Sequence, residues 1–175
     1  MRVELVQKPG EIEDWMGLPY RIYKNDKNWI PHLKQDIEKV FDPKSNKLFN
    51  SGALVRFALY ENNEIIGRIA AFHFPKLSAK QNYKIGGLGF FECVDNQDAA
   101  FKLFDTAIEW LKSEGMEAVD GPINFGERDA FWGLLTENFT DMSSYRMNYN
   151  PPYYQALFES YGFRTYFEQW CLNVQ

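Results

Sequence analysis

The sequence predicts a single domain, residues 1–175, of mixed α/β (α+β) class. Three features lead there: a hairpin pattern over residues 53–74, one long amphipathic helix over 97–114, and a helix–glycine–strand pattern that closes the chain. The 175 residues suffice for one substantial core, and 45% hydrophobic with 25% charged residues is the balance of a soluble globular protein.

Taken in order, residues 3–6 read as a short first strand. Residues 14–23 read as a helix broken by Gly17 and Pro19, and Pro31 opens a second helix over 32–41. Residues 46–52 are turn-like. ALVRFALY (53–60) and IIGRIAAFHF (65–74) are rich in β-branched and aromatic residues and flank the turn ENNE, which is a strand–turn–strand signal. GLGFFECV (87–94) is a further strand. In residues 97–114, Phe101, Phe104, Ile108 and Leu111 share one helical face, and Gly115 follows. Residues 116–119 are strand-like and are stopped by Gly121-Pro122, and 126–139 read as helical or irregular. Near the end, Asn150 and Pro151 supply a capping side chain and a first-turn proline. Tyr154, Leu157, Phe158 and Tyr161 then recur at helical spacing, Gly162 stops the helix, and 163–174 read as an aromatic-rich strand.

Net charge of −5 and a pI near 5.1 argue against a nucleic-acid partner, which selects for basic excess. The lysines at 76, 80 and 84 read as a solvated loop. Cys93 and Cys171, each in a predicted strand, are expected as reduced thiols. The first fifteen residues contain acids and no apolar run, so no secretory leader is expected, and no segment approaches the roughly 20 apolar residues of a membrane helix. A cytoplasmic protein with no membrane partner is the expectation. Aromatic residues make up 17% of the chain. They serve either an aromatic core or a surface that meets a second copy or a second domain.

The order β, α, α, β, β, β, α, β, variable segment, α, β, together with the hairpin FALYENNEIIGRIAAF and the tail NPPYYQALFESYGF, resembles the GNAT acyl-CoA N-acyltransferase superfamily over essentially the whole chain. The phrases YRIYKNDKNWIPHL, GFFECVDN and WLKSEGMEAVDGPINF resemble a bacterial subgroup of GNAT-like proteins whose members tend to be longer. The resemblance implies a central mixed, mostly antiparallel sheet with splayed central strands, flanked by helices. It also implies acetyl-CoA or another acyl-CoA as co-substrate, a small-molecule acceptor amine or amino-acid derivative, and no metal.

In that superfamily the strand before the long helix pairs with the pantetheine arm, and a glycine-rich turn cradles the pyrophosphate on backbone N–H groups at a helix start. The matching positions here are Phe91, Cys93 and Val94 on the strand, with Asn96, Gln97 and Ala99 at the turn. Asn150 and Tyr153 lie on the helix expected beside the thioester. The turn reads VDNQDAAF, without glycine, and Asp95 and Asp98 put negative charge there, where they also suit a helix N-terminus. By resemblance Glu92 is the candidate base for the acceptor amine; the other reading is a buried glutamate satisfied by backbone, Arg56 or Arg68. The superfamily tyrosine that protonates the leaving thiolate is replaced by Phe158, which leaves Tyr161 as the candidate, with Tyr153 and Tyr154 as other nearby hydroxyls. Asn124, Arg128 and Trp132 are candidates to line the acceptor pocket.

His32 and His73 lack zinc-ligand spacing, and Gly86-Gly87-Leu88-Gly89 precedes a strand instead of opening a helix, so it is no phosphate loop. The competing functional reading is a catalytically inactive GNAT-like domain that binds a ligand or partner.

Overall fold

A computed structural model describes residues 1–170. Its elements are β1 (Arg2–Leu5), α1 (Pro9–Ile22), α2 (Lys34–Phe41), β2 (Ala53–Glu61), β3 (Glu64–His73), β4 (Ile85–Cys93), α3 (Gln97–Ser113), β5 (Ala118–Asp120) and α4 (Tyr153–Tyr161), with short 3-10 turns at Lys47–Asn50 and Pro75–Ser78. The strands form one sheet in the order β1-β2-β3-β4-β5, antiparallel except for the parallel pair β4–β5. Alternation along the strands divides the core. Phe57, Leu59, Ile69, Ala71 and Cys93 face α3 and α4, while Ala58, Tyr60 and Ala70 face α1 and α2.

Two local features set the site. The first is a bulge in β4: Arg68 pairs with Glu92 and Ala70 with Gly89, so three steps along β4 match two along β3. Phe90 takes the left-handed φ of 50° that absorbs the extra residue. A one-residue insertion reverses every side chain beyond it. Leu88 and Phe91 therefore both face α3, and Glu92 turns to the α1 side, beside Arg68. The second is the parting of β4 from β5. Their pairing ends at Gly87 opposite Asp120, and the chain that follows touches β4 once more through Ile123 N–H to Leu88 O at 2.8 Å. The residues of β4 beyond that point line an opening in the sheet.

Several expectations need correction. Helix α1 begins at Pro9, and Gly17 does not break it. Pro19 lies inside it, where it cannot donate to the Trp15 carbonyl one turn back. That carbonyl accepts Arg68 Nη1 at 2.9 Å instead. Of the two alternatives for residues 126–139, the structure takes the irregular one. Asn150 does not cap α4: the helix begins at Tyr153, with Pro152 in the cap position and no side-chain bond to a free amide. Gly162 ends α4 as expected, in the left-handed conformation (φ 114°), with Phe163 N–H closing on Phe158 O at 3.1 Å. The segment from Phe163 to Trp170 is not a strand, and Cys171 with the rest of the expected closing strand lies outside the described residues.

Candidate active site

Where β4 parts from its neighbour, α1, α2, β3, β4, α4 and the irregular segment 122–150 enclose a cavity of about 220 Å³. Its floor is a buried polar group. Glu92 Oε2 accepts the hydroxyls of Tyr23 and Tyr154, each at 2.8 Å, and Oε1 lies 3.5 Å from Arg68 Nη2. Tyr23 stands directly after α1, stacked on Trp29 at 4.9 Å, with a second acceptor in the Tyr149 carbonyl at 3.3 Å. Arg68 is 4% exposed, lies 4.3 Å over the Trp15 ring and is fixed by the Trp15 carbonyl that Pro19 leaves open. Burial pushes the Glu92 carboxyl above its usual range, against the opposing pull of Arg68 and the two tyrosines. Burial and the Glu92 charge raise both tyrosines. Burial and the nearby Arg68 charge lower His32, also on the wall, to about 4. Of the two arginines named as partners for Glu92, Arg68 is the one; Arg56 lies over the Phe41 ring.

The expected site residues fall into four groups. Phe91, Asn150 and Glu92 line the cavity. The Asn150 side chain is nonetheless engaged, accepting Leu135 N–H at 2.7 Å and donating to Leu135 O at 3.1 Å. It clips the irregular segment to the start of α4. Cys93, Val94 and Tyr153 meet at the open edge of β4. Val94 N–H donates to Ile66 on β3, which turns the backbone groups of Cys93 to the opposite side. There Cys93 N–H donates to the Tyr154 hydroxyl and Cys93 O accepts the Tyr153 hydroxyl, both at 2.8 Å. At the following turn, Asn96 N–H folds back onto Val94 O, and the Asn96 side chain caps Ala99 N–H at 3.0 Å. Gln97 and Asp98 N–H have no protein acceptor among the described residues.

Tyr161, Asn124, Arg128 and Trp132 do not join this group. Tyr161 donates to Asp105 on α3 at 2.6 Å, because the spacing along α4 turns it away from β4. Asn124 is buried, with its Oδ1 unpartnered among the described residues. Arg128 lies over the rings of Trp132 and Phe167, and Trp132 packs on the Phe72–Phe125 cluster. The same segment lines the cavity through Pro122, Phe131, Gly133 and Leu134 instead. Residue type gives no sign of these, because this part of the wall is apolar. Tyr23 and Tyr149 were also missed, since nothing local marks a tyrosine just past a helix end as a partner for a glutamate 69 residues away. Among the described residues no group of three or more His, Cys, Asp or Glu could hold a metal ion, and no helix is long and apolar enough to cross a membrane.

The donor implied by the fold can be tested against these contacts. The Cys93 carbonyl is held by the hydroxyl of a half-buried tyrosine, Tyr153, so a pantetheine amide can take its place by exchanging one hydrogen bond for another, a near-neutral trade. Two amides remain at the α3 start for a phosphate. Asp95 and Asp98 oppose it there. The residues present fit a pantetheine arm once Tyr153 moves, and fit a pyrophosphate less well than a glycine-lined turn does.

A five-stranded, mostly antiparallel sheet, parted beside a bulged β4 and covered by helices on both faces, is the fold of the GNAT acetyltransferases. Solved structures agree over nearly the full length. The aminoglycoside 6'-N-acetyltransferase AAC(6')-Ig of Acinetobacter haemolyticus is 13% identical with a TM-score of 0.57, over 100% of this chain and 99% of that one. A predicted acetyltransferase of Clostridium acetobutylicum, solved with acetyl-CoA, is 17% identical with a TM-score of 0.56, over 98% of this chain and 95% of that one. AAC(6')-Iy, solved with a CoA-based bisubstrate analogue, is 12% identical with a TM-score of 0.58, over 100% and 99%. No family model matches the chain. Among curated proteins, Protein YghO of Escherichia coli (strain K12) is 25% identical over 157 residues. That match takes in 88% of this chain and only 39% of YghO.

Proposed function

We propose that this chain is an acyl-CoA-dependent N-acyltransferase whose acceptor is a small amine held in the Glu92 cavity. The observation that carries this reading is a carboxylate, raised by burial, on the floor of a cavity at the opening beside β4. A bound acyl-CoA supplies an acyl carbonyl activated as a thioester. An alkylammonium near pKa 10 must lose a proton before it is nucleophilic, and a carboxylate shifted towards neutrality is a better acceptor for it than an exposed one. Oε2 accepts two hydroxyls, so the amine approaches Oε1, beside Arg68 Nη2 at 3.5 Å. The Tyr23 hydroxyl has two acceptors within reach, Glu92 Oε2 at 2.8 Å and the Tyr149 carbonyl at 3.3 Å, so it can leave the carboxyl as its charge changes. Cys93 O and the amides of Gln97 and Asp98 would hold the donor. Phe158 has no proton to give, and Tyr153, Tyr154 and Tyr161 donate to Cys93 O, Glu92 and Asp105, so no tyrosine of α4 is assigned as acid.

A second reading has its own support. Both Cys93 groups at the open edge are already bonded within the chain, which suits a domain that binds a ligand without transferring an acyl group. Thiol release from acetyl-CoA in the presence of an amine panel separates the two. Glu92→Gln is expected to lower turnover by about 10²–10⁴-fold. Unchanged turnover removes Glu92 as base, and amine binding with no thiol release favours the second reading.

A further inference from the structure

We propose that the cavity takes a monoamine whose body is one aromatic ring on a short arm, and that it rejects polycations and multi-ring amines. This deepens the acceptor reading above and rests on it. Size comes first. An apolar cavity of about 150 Å³ accommodates benzene, and drug-sized ligands need about 300–1,000 Å³. The 220 Å³ present here exceeds the space of one ring and falls short of the drug-sized range, which suits one ring on a short arm. The wall matches that body. Trp29, Phe90, Phe131 and Tyr149 present ring surface, and Met16 and Leu134 fill between them. Ring edges and faces pack against a further ring with a preference that a plain alkyl chain does not gain.

Charge decides the rest. The ionisable side chains on the lining are Glu13, Lys34, Arg68 and Glu92, with His32 neutral at pH 7, so the signs cancel. On the floor, Glu92 Oε1, which lies 3.5 Å from Arg68 Nη2, is the position for the reacting nitrogen. A ligand with several ammonium groups would meet Lys34 and Arg68 as well as the carboxylates Glu13 and Glu92, so the lining gives a polycation no net attraction to offset the loss of its hydration.

Titration calorimetry on the full chain without any acyl donor tests this, using 2-phenylethylamine, n-butylamine and kanamycin as probes. The expected result is saturable one-to-one binding of phenylethylamine, at least tenfold tighter than butylamine, with no kanamycin binding at the same concentrations. Leu134→Trp, which fills the cavity, should abolish phenylethylamine binding. Phe131→Ala, which enlarges it, should shift preference towards a naphthyl analogue, so the test survives if the first variant does not fold. Kanamycin binding as tight as phenylethylamine, equal affinity for butylamine, or no phenylethylamine binding overturns the inference. The readout needs no donor, so a failure of acyl transfer leaves it standing. Acyl transfer to kanamycin would overturn it while keeping the acyltransferase reading.

Discussion

Replacing Arg68 with methionine should destabilise the domain severely, and most of the loss should return when Glu92 is neutralised as well. Arg68 is 4% exposed and Glu92 12%, so the pair meets almost entirely out of water. Removing one partner of a buried ion pair costs about 3–5 kcal/mol, because the other charge stays buried without compensation. The same change deprives the Trp15 carbonyl of its donor, and Pro19 cannot replace it. An orphaned buried carbonyl costs about 1–3 kcal/mol, not fully additive with the first loss. Taking about 4 kcal/mol in total, with about 2–4 °C per kcal/mol for a chain of this size, Tm should fall by roughly 8–16 °C. In Arg68→Met/Glu92→Gln the charge is gone and only the carbonyl defect remains, so the double variant should be more stable than the sum of the singles by about 1–3 kcal/mol. Circular-dichroism melts and urea titrations of the four proteins measure this cycle. The single variant should also suffer less as pH falls, because a Glu92 without its arginine protonates more readily. A loss below about 1 kcal/mol for Arg68→Met, or strict additivity in the cycle, would refute the buried-pair account.

Three further outcomes follow from the same contacts. A methyl group at Gly89 would run into the Ile123 backbone oxygen, whereas one at Gly67 meets only the end of the Leu103 side chain at 2.6 Å; Gly89→Ala should cost about 1–3 kcal/mol or more and Gly67→Ala clearly less, by urea titration. Asp36 is held below the usual aspartate range by Arg146 and Tyr145, which tie α2 to the irregular segment. A depressed native pKa gives stability present above the ordinary value of 3.8 and lost as pH falls through the lowered one, so hydrogen exchange in residues 140–150 should quicken there in the wild type and be fast at all pH in Asp36→Asn. Cys93, fully buried and pushed up to about 12, should resist alkylation in the native state and react on unfolding, as read by mass spectrometry of its peptide.

The architecture was legible because its signals are local. The Asn62–Asn63 turn, both residues left-handed at φ 48° and 67°, places the hairpin, and Asn96 caps α3 from three residues away. Glu92 is a candidate by resemblance, through its place on the strand before the long helix. Its partners are not. Arg68 meets it across a strand pair and Tyr23 from the end of α1, and the β4 bulge that turns Glu92 towards both leaves no mark in GLGFFECV, because phenylalanine there gives no hint of a left-handed φ. The candidates Asn124, Arg128 and Trp132 lie off the cavity lining for the opposite reason. In a segment without regular structure, no periodicity says which residues face inward, and Phe131 and Leu134 do so instead.

The acyltransferase reading stands or falls on the donor groove, where Tyr153 now occupies Cys93 O. Calorimetric titration of the full chain with acetyl-CoA is the direct measurement. The account predicts saturable binding and, at a hundredfold excess over Kd, a stabilisation of about 2.7 kcal/mol. It also predicts tighter binding in Tyr153→Phe, which removes the competing hydroxyl. No heat and no shift in Tm at millimolar acetyl-CoA, in both proteins, would contradict it.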